Sequence, residues 1–349
     1  LKKITFYLIY ILFIILLFEF VFRAYYAISF KKPKVLYRPF AVIEHYYPGL
    51  LEVMDADIKN DDDQLDILLL GGSVLTSMWG NVPAELEKQL KESTTRPFKI
   101  YKLATPAHTS RDSRVKFDLL QKQKFDVVLV YHGINAVRFN HCPPEVFKAD
   151  YSHVDFYAKT NALAKRTWSR FTVLPLVFIQ LKTNILRHYA EDNYLPFHAP
   201  VKDSHKDWIE YGLEVKSAGA LRTNYTHIIS ESNRRGNRLV MPEFAFYIPE
   251  GYTLQNFTDQ KLDYGRHRNP VELWGTVETV TAGINAHNQE IVALQKKHHL
   301  PLLNMNEKIA KDAAHYDDLC HLTPQGSTQF AAAVVPFLVA EEQPSRGEN

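Results

Sequence analysis

LDILLLGGSVLTSMWG, residues 65–80, is an aliphatic run that breaks into two glycines, a serine and a polar turn. The run is short, apolar almost throughout and closed by a turn. That is the pattern of a strand buried on both faces of a parallel sheet. Its end, Gly71-Gly72-Ser73, allows two readings. The serine belongs to an ordinary strand-to-helix turn, or it stands at the strand tip with its hydroxyl exposed between small neighbours that let a substrate approach. Deciding between them requires the other groups of a serine site elsewhere in the chain.

Similar runs recur downstream: FKIYKLA (98–104), DVVLVYH (126–132), NRLVMPEFAF (237–246) and PLLNM (301–305). Helical patterns lie between and after them, at 82–91, 110–124, 218–235, 277–299 and 323–342. Thr323 is placed to cap the last of these, with Pro324 just inside its start. Strands alternating with helices predict an α/β fold, a flavodoxin-like, doubly wound parallel sheet of five strands spanning 65–342. The stretch 140–217 is too long for a simple crossover and reads as an inserted subdomain. Residues 31–64 read as a polar, proline-containing connector ending in Asp61-Asp62-Asp63, and 343–349 as a disordered tail.

The chain has 349 residues, 46% of them hydrophobic, enough to bury a sizeable core. A net charge of +2 without a clustered basic face argues against nucleic acid as a partner. Residues 1–30 read as a transmembrane anchor: the apolar stretch 4–22 is long enough to cross a bilayer, and its only charge is Glu19. Aromatic and basic residues follow it, where a cleaved signal peptide would show small ones. Glu19 and Arg23 lie one helical turn apart, to pair with each other or to mark contact with another membrane protein. Orientation divides the evidence. Arg23, Lys31, Lys32 and Lys34 after the span outweigh Lys2 and Lys3 before it, which favours a cytoplasmic domain. The short basic start resembles a signal anchor and favours the opposite side. The two cysteines, Cys142 and Cys320, fit one disulfide in an oxidising compartment, with two free buried thiols as the alternative. The expectation is a bacterial inner-membrane protein with an extracytoplasmic, periplasmic domain.

Ligands of an open parallel sheet gather beyond the carboxyl ends of its strands. The first such exit holds Ser73. The second, KLATPAHTSRDS (102–113), is a small-residue loop able to present backbone N–H groups. The third, YHGINAVR (131–138), places Asn135 where its amide reaches the same cleft, or where it makes an Asx-turn. The last, DDLCHLTPQG (317–326), sets Asp318 three residues before His321, so that the carboxylate orients the imidazole as a general base. His108 and His132 border the cleft without acidic or cysteine ligands at a fitting spacing, so a metal is not expected. Tyr252, Tyr264 and Trp274 either wall a substrate pocket or pack.

Ser73, the loop 102–107, Gly133-x-Asn135 and Asp318-x-x-His321 together resemble, in order and spacing, the four blocks of the SGNH hydrolases, the GDSL esterase/lipase family, and most of all its membrane-anchored bacterial members. The resemblance covers residues 65 to 340 and implies Ser73 as nucleophile, His321 as general base and Asp318 as its orienting partner. It implies an oxyanion hole made by the N–H groups of Ser73 and Ala107 and the side-chain amide of Asn135. The chain departs from the pattern at Gly72 (GGS for GDS), at Lys102 and Ala107 (usually Asn and Gly) and at Ala136 (usually Asp). It implies an esterase acting on an ester-bearing small molecule or glycan. The alternatives are an acyltransferase acting on a surface polysaccharide, or a non-catalytic subunit of a membrane assembly.

Overall fold

The opening run forms β1 (Leu65–Gly71), buried at all seven positions. The other strands are β2 (Phe98–Lys102), β3 (Val127–Tyr131) and β4 (Arg238–Val240). The longer helices are α1 (Lys2–Ser29), α2 (Val82–Ser93), α3 (Ser110–Leu119), α4 (Asp155–Lys165), α5 (Leu174–Tyr189), α6 (Lys216–Arg235), α7 (Val277–Lys297) and α8 (Pro324–Val339). This computed structural model describes residues 2–59, 62–165, 167–189 and 206–340; the expected tail 343–349 lies outside them.

The strands pair in parallel in the order β2-β1-β3-β4. β1 and β3 are central and fully buried, whereas β2 at the edge exposes Lys99 and Lys102, which discourages further pairing. Ile67 and Leu69 of β1 share a core with Leu86 and Leu90 of α2 and with Phe330, Val334 and Leu338 of α8. Leu68 and Leu70 are equally buried and point to the opposite face. Away from that core, α3 packs on α6 and α6 on α7. The N-cap of α8 forms as its sequence predicts: the Gly326 N–H donates to Thr323 Oγ1 at 3.1 Å.

The sheet has four strands among the described residues, not five. PLLNM begins with a proline that has no N–H to donate. A bond from the Glu243 N–H to the Leu303 carbonyl at 3.0 Å ties it to the chain beyond β4, and it then turns into a short helix at Met305–Lys308. β4 is likewise shorter than NRLVMPEFAF. Past Glu243 its N–H groups go to side chains: Phe244 to Asn288 Oδ1, Ala245 to the Tyr131 hydroxyl and Phe246 to Asn306 Oδ1.

The chain divides into two compact units, 56–149 with 200–349, and 1–55 with 150–199. The first holds the sheet. In the second, residues 31–55 are not the polar connector their composition suggests. They carry short helices at Pro33–Leu36, Pro39–Val42, Ile43–Tyr46 and Leu50–Asp55 that bury Phe40, Val42, Ile43, Tyr47 and Leu50. α1 is long and apolar enough to cross a membrane, and its side chains from Ile4 to Phe18 are largely exposed. Glu19 is the exception. Its carboxylate accepts from Arg23 Nε (2.6 Å), from the Thr172 hydroxyl (2.6 Å) and from the Val173 N–H (3.1 Å) at the start of α5. The carboxylate thus meets both its helical neighbour and the N-terminal end of another helix, where negative charge is favoured.

Candidate active site

Gly71 and Gly72 are small because the chain passes close on either side. A Cβ on Gly71 would stand 2.9 Å from the Tyr131 carbonyl, and one on Gly72 would stand 2.7 Å from Asn135 Nδ2. The glycines therefore bring the first and third strand exits into contact, and Ser73 opens a single 3₁₀ turn beyond them. The second exit is tied in by the Thr105 N–H, which donates to the Gly71 carbonyl at 3.1 Å. Asn135 Nδ2 closes the ring of exits, donating to the His108 carbonyl at 2.9 Å.

Ser73, Asn135, Asp318 and His321 are all buried. His321 Nδ1 lies 2.8 and 3.0 Å from the two carboxylate oxygens of Asp318, and Nε2 lies 2.8 Å from Ser73 Oγ. An ionised carboxylate only accepts, so Nδ1 carries the ring proton and Nε2 is left to take the hydroxyl proton of Ser73. The backbone N–H groups of Cys320 and His321 also donate to Asp318, at 3.0 and 2.9 Å. The Asp-x-x-His spacing therefore folds back on itself, the carboxylate holding the turn that carries its histidine.

Ala107 adopts φ +64°, in the left-handed region that glycine favours. Beneath its loop, the fully buried Lys116 of α3 donates from Nζ to the Leu103 carbonyl (2.5 Å) and the Thr105 hydroxyl (3.3 Å), and lies 2.8 Å from His108 Nδ1. Burial lowers the Lys116 amine to about 7 and the His132 imidazole to about 3. His132 Nε2 pairs with the Ser113 hydroxyl at 2.6 Å. The two histidines beside the cleft thus engage α3. Lys102, on the edge strand, reaches outward to Glu87 at 2.7 Å.

Three neighbours of the site had no functional reading from the sequence. Asn269 donates to Asp318 Oδ2 from its backbone N–H (3.1 Å) and from Nδ2 (3.3 Å). Trp79 stacks on the His321 ring at 4.1 Å and 24°, and the Arg268 guanidinium lies 4.9 Å over the indole. Trp79 lies within the opening stretch, yet nothing in its local sequence marks it as a partner of residue 321. Trp274 is buried 6.4 Å from His321, while Tyr252 and Tyr264 hydrogen-bond to Glu272 and to the Tyr247 carbonyl as packing residues.

The expected disulfide does not form: Cys142 and Cys320 are free, buried thiols. The Cys142 Sγ contacts the Phe139 carbonyl, whereas the Cys320 Sγ lies 3.7 Å from His321 Nδ1. Burial raises the Cys142 thiol to about 11, and burial with the Asp318 charge raises Cys320 well above its ordinary value. The ligand atoms of Asp318, Cys320 and His321 lie within 4.8 Å of one another. The Asp318 carboxylate already takes five N–H groups, from the backbone of Cys320, from the backbone and ring of His321 and from the backbone and side chain of Asn269, which makes this a hydrogen-bonded cluster.

No protein-family profile and no curated protein matches the chain. Its fold is similar to several solved structures. One is LAE5, an alpha/beta hydrolase enzyme from the metagenome of Lake Arreo, with 12% identity over 78% of this chain and 94% of that chain, TM-score 0.42. Another is Axe2, an acetylxylan esterase from Geobacillus stearothermophilus, with 12% identity over 83% and 100% of the two chains, TM-score 0.40. A third is a protein from Desulfitobacterium hafniense described as a lipolytic protein of the G-D-S-L family, with 10% identity over 78% and 99%, TM-score 0.39.

Proposed function

We propose that this chain is a membrane-tethered serine ester hydrolase that needs no cofactor. The supporting observation is the unbroken line of hydrogen bonds from Ser73 Oγ through His321 to Asp318. In this reading Ser73 Oγ attacks the ester carbonyl while its proton passes to His321 Nε2. Asp318 holds the ring and stabilises the imidazolium that forms. The N–H groups of Ser73 and Ala107 and the Asn135 amide receive the developing oxyanion. The C–O bond to the alcohol then breaks, the leaving oxygen takes the proton from His321, and the acyl group stays on Ser73. Water, deprotonated by His321, repeats the attack and releases the acid. Release to a sugar hydroxyl instead would make the chain an acyltransferase, and product analysis with an added glycan acceptor separates the two.

The anchor is α1, in a bacterial inner membrane. On the resemblance to membrane-anchored hydrolases we assign the catalytic unit to the extracytoplasmic side. The charges flanking the span argue the reverse. Protease digestion of intact spheroplasts decides this: a protected sheet-bearing unit would overturn the assignment.

The decisive activity test uses the full chain in detergent with p-nitrophenyl acetate and a small fluorophosphonate. Turnover and covalent labelling are expected, both abolished by Ser73→Ala. Folded protein that neither turns over esters nor takes the label would remove the hydrolase reading and leave a non-catalytic subunit.

A further inference from the structure

The space directly beside Ser73 is small. A recess of about 10 Å³ opens there, lined by Ser73, Val74, Gly133, Ile134, Asn135 and Phe244. That is close to the smallest volume that admits one water-sized group. Its far wall is firmly built. The Phe244 ring closes directly on the backbone of the third exit, so that a Cβ on Gly133 would stand 2.3 Å from Phe244 Cγ.

Two further contacts hold that ring in place. Phe244 is clamped through its backbone by Asn288 of α7: its N–H donates to Oδ1 at 2.7 Å and its carbonyl accepts from Nδ2 at 2.9 Å. The ring also stacks on Tyr131 of β3, with centroids 5.0 Å apart and planes 27° from parallel. Phe244 and Ile134 are both almost fully buried. A wall packed on a central strand and tied at both backbone atoms has no inexpensive way to retreat.

We propose that this recess receives the methyl group of an acetyl ester, and that Phe244 sets the upper limit on acyl length. The substrate class is then an O-acetylated alcohol or sugar. The inference rests on the reading of Ser73 as nucleophile, because only then does the acyl carbon stand beside this recess.

The test compares p-nitrophenyl acetate, butyrate and octanoate as substrates of the full chain in detergent, with Ser73→Ala as the blank. A single methylene in a tight apolar pocket is worth about 10–200-fold in kcat/KM. Butyrate is therefore expected at least about tenfold below acetate, with octanoate lower still. Phe244→Ala should raise the butyrate-to-acetate ratio by at least about tenfold. Phe244→Leu, a milder change in case the alanine variant fails to fold, should raise it by less. Wild-type cleavage of butyrate or octanoate as fast as acetate, dependent on Ser73, would overturn the acetyl limit and leave the hydrolase reading standing. So would an unchanged ratio in folded Phe244 variants. No Ser73-dependent cleavage of any ester would overturn both.

Discussion

Ala107 is the residue where local backbone and proposed role conflict most openly. At φ +64° its Cβ is strained, a cost of about 1–2 kcal/mol for a residue other than glycine. Ala107→Gly keeps the N–H and relieves the strain, but adds freedom to the unfolded chain. Ester turnover is therefore expected to persist, with stability unchanged or raised by about 0.5 kcal/mol in urea titrations. Ala107→Val should lower both. Gly72 is constrained differently: a Cβ there meets Asn135 Nδ2 at 2.7 Å. Gly72→Ala and Asn135→Ala should each reduce kcat by about 10²–10³, one by displacing the amide and the other by deleting it. Normal turnover in folded Gly72→Ala would show that the amide has no part in catalysis. Gly71 thus answers both to the nearby Leu75 side chain and to the distant Tyr131 carbonyl, while the nearest neighbour of Gly72 is Asn135, which no local pattern could supply.

Among the elements, α3 bears most directly on the second exit. Its capping box, Thr109 with Asp112, starts the helix immediately after the Ala107 loop. Lys116, two turns along, returns to bind that loop from below. Burial lowers the amine from 10.5 to about 7. Between those values the unfolded chain holds a proton that the folded one does not, so Lys116 weakens folding as pH falls from about 10 to 7. Lys116→Met removes that term. The stability of wild type relative to the variant should rise from pH 7 to pH 10 in parallel urea titrations, and a constant difference would mean that the lysine stays charged in the fold. The same variant deprives the Leu103 carbonyl and the Thr105 hydroxyl of this donor, so kcat should also fall. The sequence marks α3 plainly through its cap, and β1, β2 and β3 through their apolar runs. It misplaces β4 and the fifth strand because Pro242 and Pro301 interrupt the ladder while the flanking residues stay apolar. Apolarity reports burial, and pairing needs N–H groups as well.

For the whole molecule, buried histidines set the response to acid. His132, His141 and His287 are lowered to about 3, 4 and 4, each chiefly by burial. The unfolded chain takes up these protons near the ordinary value of 6.5, which the folded chain resists. Their contribution to stability is thus present above about pH 6.5 and lost progressively down to about pH 3. Thermal unfolding of the sheet-bearing unit should shift to lower temperature across that window, and a flat profile would mean that these rings are solvated. In the other unit, Glu19→Ala strips the start of α5 and Arg23 of their shared carboxylate. Faster proteolysis within 150–189 is expected, at a cost of about 1–3 kcal/mol. By itself the amino-acid sequence determined the parallel α/β class, the apolar N-terminal helix and the four exits, because burial and turn chemistry are written in local composition. Only the tertiary structure decided that 31–55 folds with the described residues of 150–189, that the cysteines stay apart, and that Asn269, Trp79 and Phe244 surround the serine. Those are contacts between distant segments, and their geometry comes from packing, which leaves no periodic trace along the chain.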